Sequence, residues 1–229
     1  MKKSLLPLLA CLAFASPLTS QAALSAEGWL ETYYVDPQPA RLPEAFRSLS
    51  REGYFDRPGN IPTAVGFFAA MFAQNPERVE GWVAQIGGLP QRHERLLAAA
   101  LWQAGLPLGQ ELMFKLGRNS PLQSEIQRLA ELQSRSVLET PVLSASSMNL
   151  QWGAFLATGD ERHIVNIFDA IGANEPGVDV AARAALAQHA ADHPRVLEIC
   201  RTQLDRQPEE VKGVLRAAVH SAEAAKPGI

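Results

Sequence analysis

What this sequence has little of narrows it first. Its 229 residues include two cysteines, Cys11 and Cys200. A single cysteine left after export, Cys200, cannot form an internal disulfide, so stability must come from packing. Between Leu197 and Leu204, it is expected to be buried and inert. No apolar run approaches the about 20 residues that a membrane span needs. No stretch alternates Val, Ile or Thr with polar residues, so no β-sheet is expected. The formal charge is −3 with no basic cluster, which argues against nucleic acid or an anionic membrane as a partner. Catalytic signatures are missing as well. There is no Gly-x-Ser-x-Gly elbow, and Gly87-Gly88 and Gly105 to Gly109 lack the Lys-Ser/Thr of a phosphate loop. No catalytic residue and no cofactor is read from the sequence.

What is present begins with an export signal. Lys2 and Lys3 precede an apolar run from Leu5 to Phe14, and Ser20-Gln21-Ala22 supplies a small-x-small cleavage pattern. Residues 1–22 are expected to be removed, leaving 23–229 in the periplasm or secreted. Leu8-Leu9-Ala10-Cys11 resembles a lipoprotein box. The apolar run continues past Cys11, however, and a signal ending there would be too short, so Cys11 is expected to leave with the signal peptide. Loss of Lys2 and Lys3 takes the formal charge from −3 to −5.

The rest reads as about ten helices. Trp29, Leu30, Tyr33 and Tyr34 share one helical face after Ser25, and Pro43 opens a helix closed by Gly53. Residues 54–60 read as a loop. Pro62 opens a helix, TAVGFFAAMFAQ, that is apolar almost all round and is expected at the centre. Further helices start at Pro76, Pro90 and after Gly105, and another runs from Pro121 to Gln133. Residues 134–147, with Pro141 and five serines, read as a connector. Met148 to Gly172 forms two helices about Gly159-Asp160, and the last three run about 178–192, 194–206 and 208–224. The expected fold is all-α: stacked antiparallel hairpins, as an α-solenoid or an irregular bundle. Residues 23–229 form one domain, or two sub-stacks, 23–133 and 145–226.

Three hairpins superimpose in sequence. Their hinges are Asn75, Gly105 and Gly159, each preceded four residues earlier by Met71, Leu101 or Phe155 and followed by Gly87, Gly117 or Gly172. Such pairs cannot bury their apolar faces alone and must stack. Phe155, Gly159, Phe168 and Pro176 fall at the spacings of an aromatic, a glycine, a second aromatic and a proline in tetratricopeptide repeats, which this stretch resembles. Ile164 stands where that motif has a small Ala, its Leu-Gly pair is missing, and the 34-residue period is absent. The resemblance implies a curved helical scaffold that binds other proteins.

The candidate sites are few. His189 and His193 lie at i, i+4, where one helix face offers two metal ligands, with Asp192 and Cys200 nearby. No Glu follows His189, and Pro194 places His193 at a helix end, so no metal site is assigned. His93, in Arg92-His93-Glu94, and His163, in Glu161-Arg162-His163, fall in first turns where solvated charge is usual. Glu31 and Asp36 near Tyr33 and Tyr34 form a conceivable acidic pair for sugar cleavage. Trp29, Tyr33, Tyr34, Tyr54 and Phe55 are candidates for a binding groove, or else a cap on the helical stack. Together these features lead us to expect an exported helical protein that binds a protein or peptide in the cell envelope. The alternatives are a cell-wall hydrolase with an acidic or His-centred cleft and a small-ligand or metal binder through His189 and His193.

Overall fold

A computed structural model describes residues 25–118, 120–132, 134–172 and 177–225. The expected signal peptide, the Cys11 box and Pro176 lie outside them. Twelve α-helices and five short 3-10 turns occur among the described residues, with no strand. No described helix is long and apolar enough to cross a membrane. The helices are α1 (Ala26–Thr32), α2 (Leu42–Arg51), α3 (Asn60–Gln74), α4 (Val79–Ile86), α5 (Gln91–Gln103) and α6 (Pro107–Gly117). They continue with α7 (Gln123–Glu131), α8 (Ala145–Thr158), α9 (Glu161–Phe168), α10 (Val178–Asp192), α11 (Pro194–Gln203) and α12 (Glu209–Ala224).

Local chemistry explains their ends. Ser25 accepts a hydrogen bond from the Gly28 amide and caps α1, while proline opens α2, α6 and α11. Gly159, at φ 65°, takes the left-handed conformation that closes α8, and its amide donates to the Phe155 carbonyl at 2.7 Å. Asp160 then caps α9 by accepting from the Arg162 amide.

The centre of the fold is the pair α3 and α8. α3 is apolar on nearly every side and buries Gly66 through Phe72 without a break. Its most extensive partner is α8, some 80 residues later in the chain. Two glycines permit this contact. A Cβ on Gly66 would collide with the backbone of Leu150, and a Cβ on Gly153 would collide with the Thr63 carbonyl and lie 2.9 Å from the Phe67 nitrogen. Each helix therefore offers a bare stretch of backbone to the other, and Phe67, Phe68, Trp152 and Phe155 fill the space beside the crossing.

The hairpins are realised unevenly. α5 folds back on α6, where Gly109 meets the Leu101 carbonyl, and α8 folds back on α9. α4 packs chiefly on α2, because α5 and α8 already occupy much of α3. The expected closing glycines also differ. Gly172 is left-handed at φ 79°, but Gly88 rather than Gly87 takes that role after α4. Gly117 lies within α6, where a Cβ would strike Ile126. α10, α11 and α12 pack on one another and join the centre through α8 and α9. Cys200 is fully buried among them, and burial pushes its thiol up to about 12.

The connector is not slack. Gln103 donates to the Arg135 carbonyl, Gln151 to the Val137 and Thr140 carbonyls, and Asn166 to the Leu138 carbonyl. Residues 134–142 are thus tied to α5, α8 and α9. The closest helix pair joins the segment before this connector to the segment after it.

Candidate functional site

The five aromatic groove candidates divide. Trp29, Tyr33, Tyr54 and Phe55 are buried. Trp29 and Tyr33 both meet Phe67 edge-on at 5.5 Å, and Phe55 lies 4.9 Å from Phe46. These rings seal α1 and the turn after α2 onto α3, so their own packing fills the groove expected of them. Burial pushes the Tyr54 hydroxyl up to about 12. Only Tyr34 is half-buried, and it points elsewhere.

Tyr34 reaches the histidine pair. Its hydroxyl shares a 3.2 Å hydrogen bond with His193 Nδ1, and its ring lies 5.1 Å from Phe155. His189 stacks flat on Trp152 at 3.6 Å, while His193 meets the same indole edge-on at 5.0 Å. The two imidazoles therefore serve as aromatic packing between the turn after α1, α8 and the end of α10. Among the described residues no three His, Cys, Asp or Glu side chains gather as metal ligands. Burial pulls His189 down to about 4 and lowers His193 as well, which favours neutral rings against the indole. Glu31 and Asp36 do not meet as a pair. Burial and the neighbouring carboxylates of Glu27 and Asp192 raise Glu31, whereas Asp36 accepts from Gln38 at 2.6 Å.

His93 and His163, expected in solvated turns, are buried instead. The reason is helical phase: His93 precedes Leu97 by four residues and His163 precedes Ile167 by four, so both join the inward stripe. His93 is paired at both nitrogens, with Ser50 Oγ 2.7 Å from Nδ1 and Asp56 Oδ1 3.1 Å from Nε2. The Asp56 carboxylate only accepts, so it pairs with Nε2–H, and the Arg92 Nε lies 3.2 Å from the same nitrogen. Hydrogen bonds from Arg92 and His93 lower Asp56. The order Ser–His–Asp resembles a catalytic relay, but the hydroxyl is buried within α2 and the carboxylate faces solvent. Acyl transfer needs the reverse exposure, so this chain acts as a lock between α2, the following turn and α5.

His163 is paired on one side only. Its Nδ1 lies 2.7 Å from Gln151 Oε1, and burial pulls its pKa down to about 4. It lines a cavity of about 230 Å3 with Ala69, Ala70, Ala73, Ala104, Gln103 and Thr158. Asp160 and Arg162 sit at the edge of this cavity, joined through both carboxylate oxygens. Gln103, which lines the cavity, and Gln151, which holds His163, escaped sequence reasoning because their partners lie 11 to 37 residues away.

A larger concavity lies elsewhere, between α5 and α7. It measures about 490 Å3 and is lined by Ala98, Ala99, Leu122, Ile126, Leu129 and Leu132, with Arg95, Glu125 and Arg128 around it. Arg95 and Glu125 bridge it at 2.8 Å, and Leu132 at its end is 60% exposed. Comparison of the chain with protein-family models, curated proteins and solved structures finds no match to any of them.

Proposed function

We propose that this is an exported helical protein that binds a protein or peptide partner in the cell envelope, without catalysis of its own. The groove between α5 and α7 carries the reading. Ala98 and Ala99 are small, so the floor is deep enough to take side chains, and Ile126, Leu129 and Leu132 supply an apolar wall. Arg95, Glu125 and Arg128 offer both charge signs around it. The occupant that suits this lining is an amphipathic peptide segment, with apolar anchors inward and polar groups at the edge. The resemblance of the hairpins to tetratricopeptide scaffolds, and the export signal read at residues 1–22, support the same partner class and compartment.

Pull-down from envelope extracts tests this, using the wild-type protein beside Ala99→Glu and Leu129→Glu. The expected result is one partner recovered repeatedly by the wild type and lost from both variants. Repeated recovery of nothing, or equal recovery by the variants, overturns the proposal.

A further inference from the structure

The cavity beside His163 has a hydrogen-bonding polarity that can be read from its walls. Gln151 donates from Nε2 to the carbonyls of Val137 and Thr140, both at 2.7 Å. Only an amide NH2 can make those two bonds, so Oε1 is the atom that faces His163. Nδ1 of His163 must then carry the ring proton, and Nε2 of the neutral imidazole keeps a lone pair. Gln103 is oriented in the same way. Its Nε2 donates to the Arg135 carbonyl at 2.9 Å and to Thr140 Oγ1 at 2.8 Å, while Thr140 directs its own proton to the Ser136 carbonyl. Gln103 Oε1 is left over.

His163 is 6% exposed and Gln103 8%, so both side chains are more than nine-tenths buried. Neither His163 Nε2 nor Gln103 Oε1 has a hydrogen-bond partner among the described residues, yet neither is sealed off as the indole nitrogens of Trp29 and Trp102 are. The two side chains line one cavity, and both leftover atoms are acceptors. The nearby guanidinium of Arg162 is engaged by Asp160, so the edge carries no net charge. Ala69, Ala70, Ala73 and Ala104 give the wall an apolar stretch, beside the polar side chains of Gln74, Ser136 and Thr158.

We propose that this cavity binds a small neutral ligand through a group that donates two hydrogen bonds, one to His163 Nε2 and one to Gln103 Oε1. Neighbouring hydroxyls of a monosaccharide and the NH2 of a primary amide share that chemistry, and both can lay a hydrocarbon face on the alanines. The site lies on a different part of α5 from the peptide groove, so it stands or falls separately.

Nuclear magnetic resonance of the full chain with 15N-labelled histidine reads the site directly. The expected start is a neutral His163 protonated at Nδ1. Titration with N-acetylglucosamine or with propionamide is expected to move the Nε2 resonance saturably, and whichever probe does so identifies the ligand class. Acetate, which only accepts at neutral pH, is the control. Ala73→Phe, placed at an exposed wall position, is expected to weaken binding by about tenfold or more, as is Gln103→Leu. Failure of both probes to move Nε2, an equal response to acetate, or a response unchanged in Ala73→Phe overturns the proposal.

Discussion

His93 and His163 begin from nearly the same sequence setting and end in different chemistry. Each sits beside an arginine and within reach of an acid, in the first turn of a helix, one turn before a buried aliphatic residue. Both are drawn inward by that phase. His93 then meets Ser50 and Asp56, one at each nitrogen, and becomes a closed lock. His163 meets Gln151 at one nitrogen and a cavity at the other. Helical phase decides that a histidine is buried; the neighbours supplied by distant segments decide whether it is a fastener or a recognition group.

The largest effect comes from breaking the frame that holds both sites. Gly153 lies two residues from Gln151 on α8 and faces the backbone of α3. Gly153→Val is expected to force the central helices apart and cost about 3 kcal/mol or more, since overpacking without room to relax is expensive. A fall in the denaturation midpoint measures it, and an unchanged midpoint refutes the close approach. Gly66→Val should behave alike.

Acid should act on the two buried neutral imidazoles of His163 and His189. Both are pulled down to about 4 from an unfolded value near 6.5, so the folded state binds fewer protons in between. Their contribution is complete above about pH 6.5 and is lost as pH falls toward 4, at about 3 kcal/mol for each. Chemical denaturation at a series of pH values should show this slope, and His163→Asn should make it shallower.

The contrast between lock and half-open site sharpens with partner deletions. Gln151→Leu leaves the Nδ1 proton of His163 without its acceptor and the Thr140 carbonyl without its side-chain donor, while the Val137 carbonyl keeps only the Thr140 amide, an expected loss of about 3 kcal/mol. Ser50→Ala strips one partner from His93 and should cost about 1 kcal/mol. Equal losses would remove the distinction between the two sites. Smallest of all is Arg162→Gln, which breaks an exposed ion pair and should change stability by less than about 1 kcal/mol.

Much of the fold was legible beforehand. The all-apolar stretch after Pro62 had to be central, because such a helix has no face to give to water. Pro194 and Pro208 placed the last helix boundaries, with α10 running Val178–Asp192 as expected. The pairing of the central helices was not legible. Gly66 and Gly153 look like weak helix positions until each is seen against the other's backbone. The aromatic candidates were ambiguous for a related reason: Trp29, Tyr33, Tyr54 and Phe55 suit a groove or a cap on the stack equally well, and their packing on Phe67 and Phe46 fits the cap.

The candidate site shows the same division. The burial of His163 was readable from its place on the stripe of Ile164, Ile167 and Ile171, although its charged neighbours obscured it. Its tautomer and its open acceptor were not readable. They depend on Gln151 being turned by two carbonyls of the connector and on Gln103 being turned by the same segment. The sequence by itself determined the helices, their inward faces and the reliance on packing rather than disulfides, since periodicity, proline placement and a lone Cys200 are local properties. Tertiary structure alone decided which helices cross at bare glycine backbone and which polar atoms are left facing a cavity. Both depend on groups far apart in the chain arriving within about 3 Å of each other, the range at which hydrogen bonds and steric contacts act.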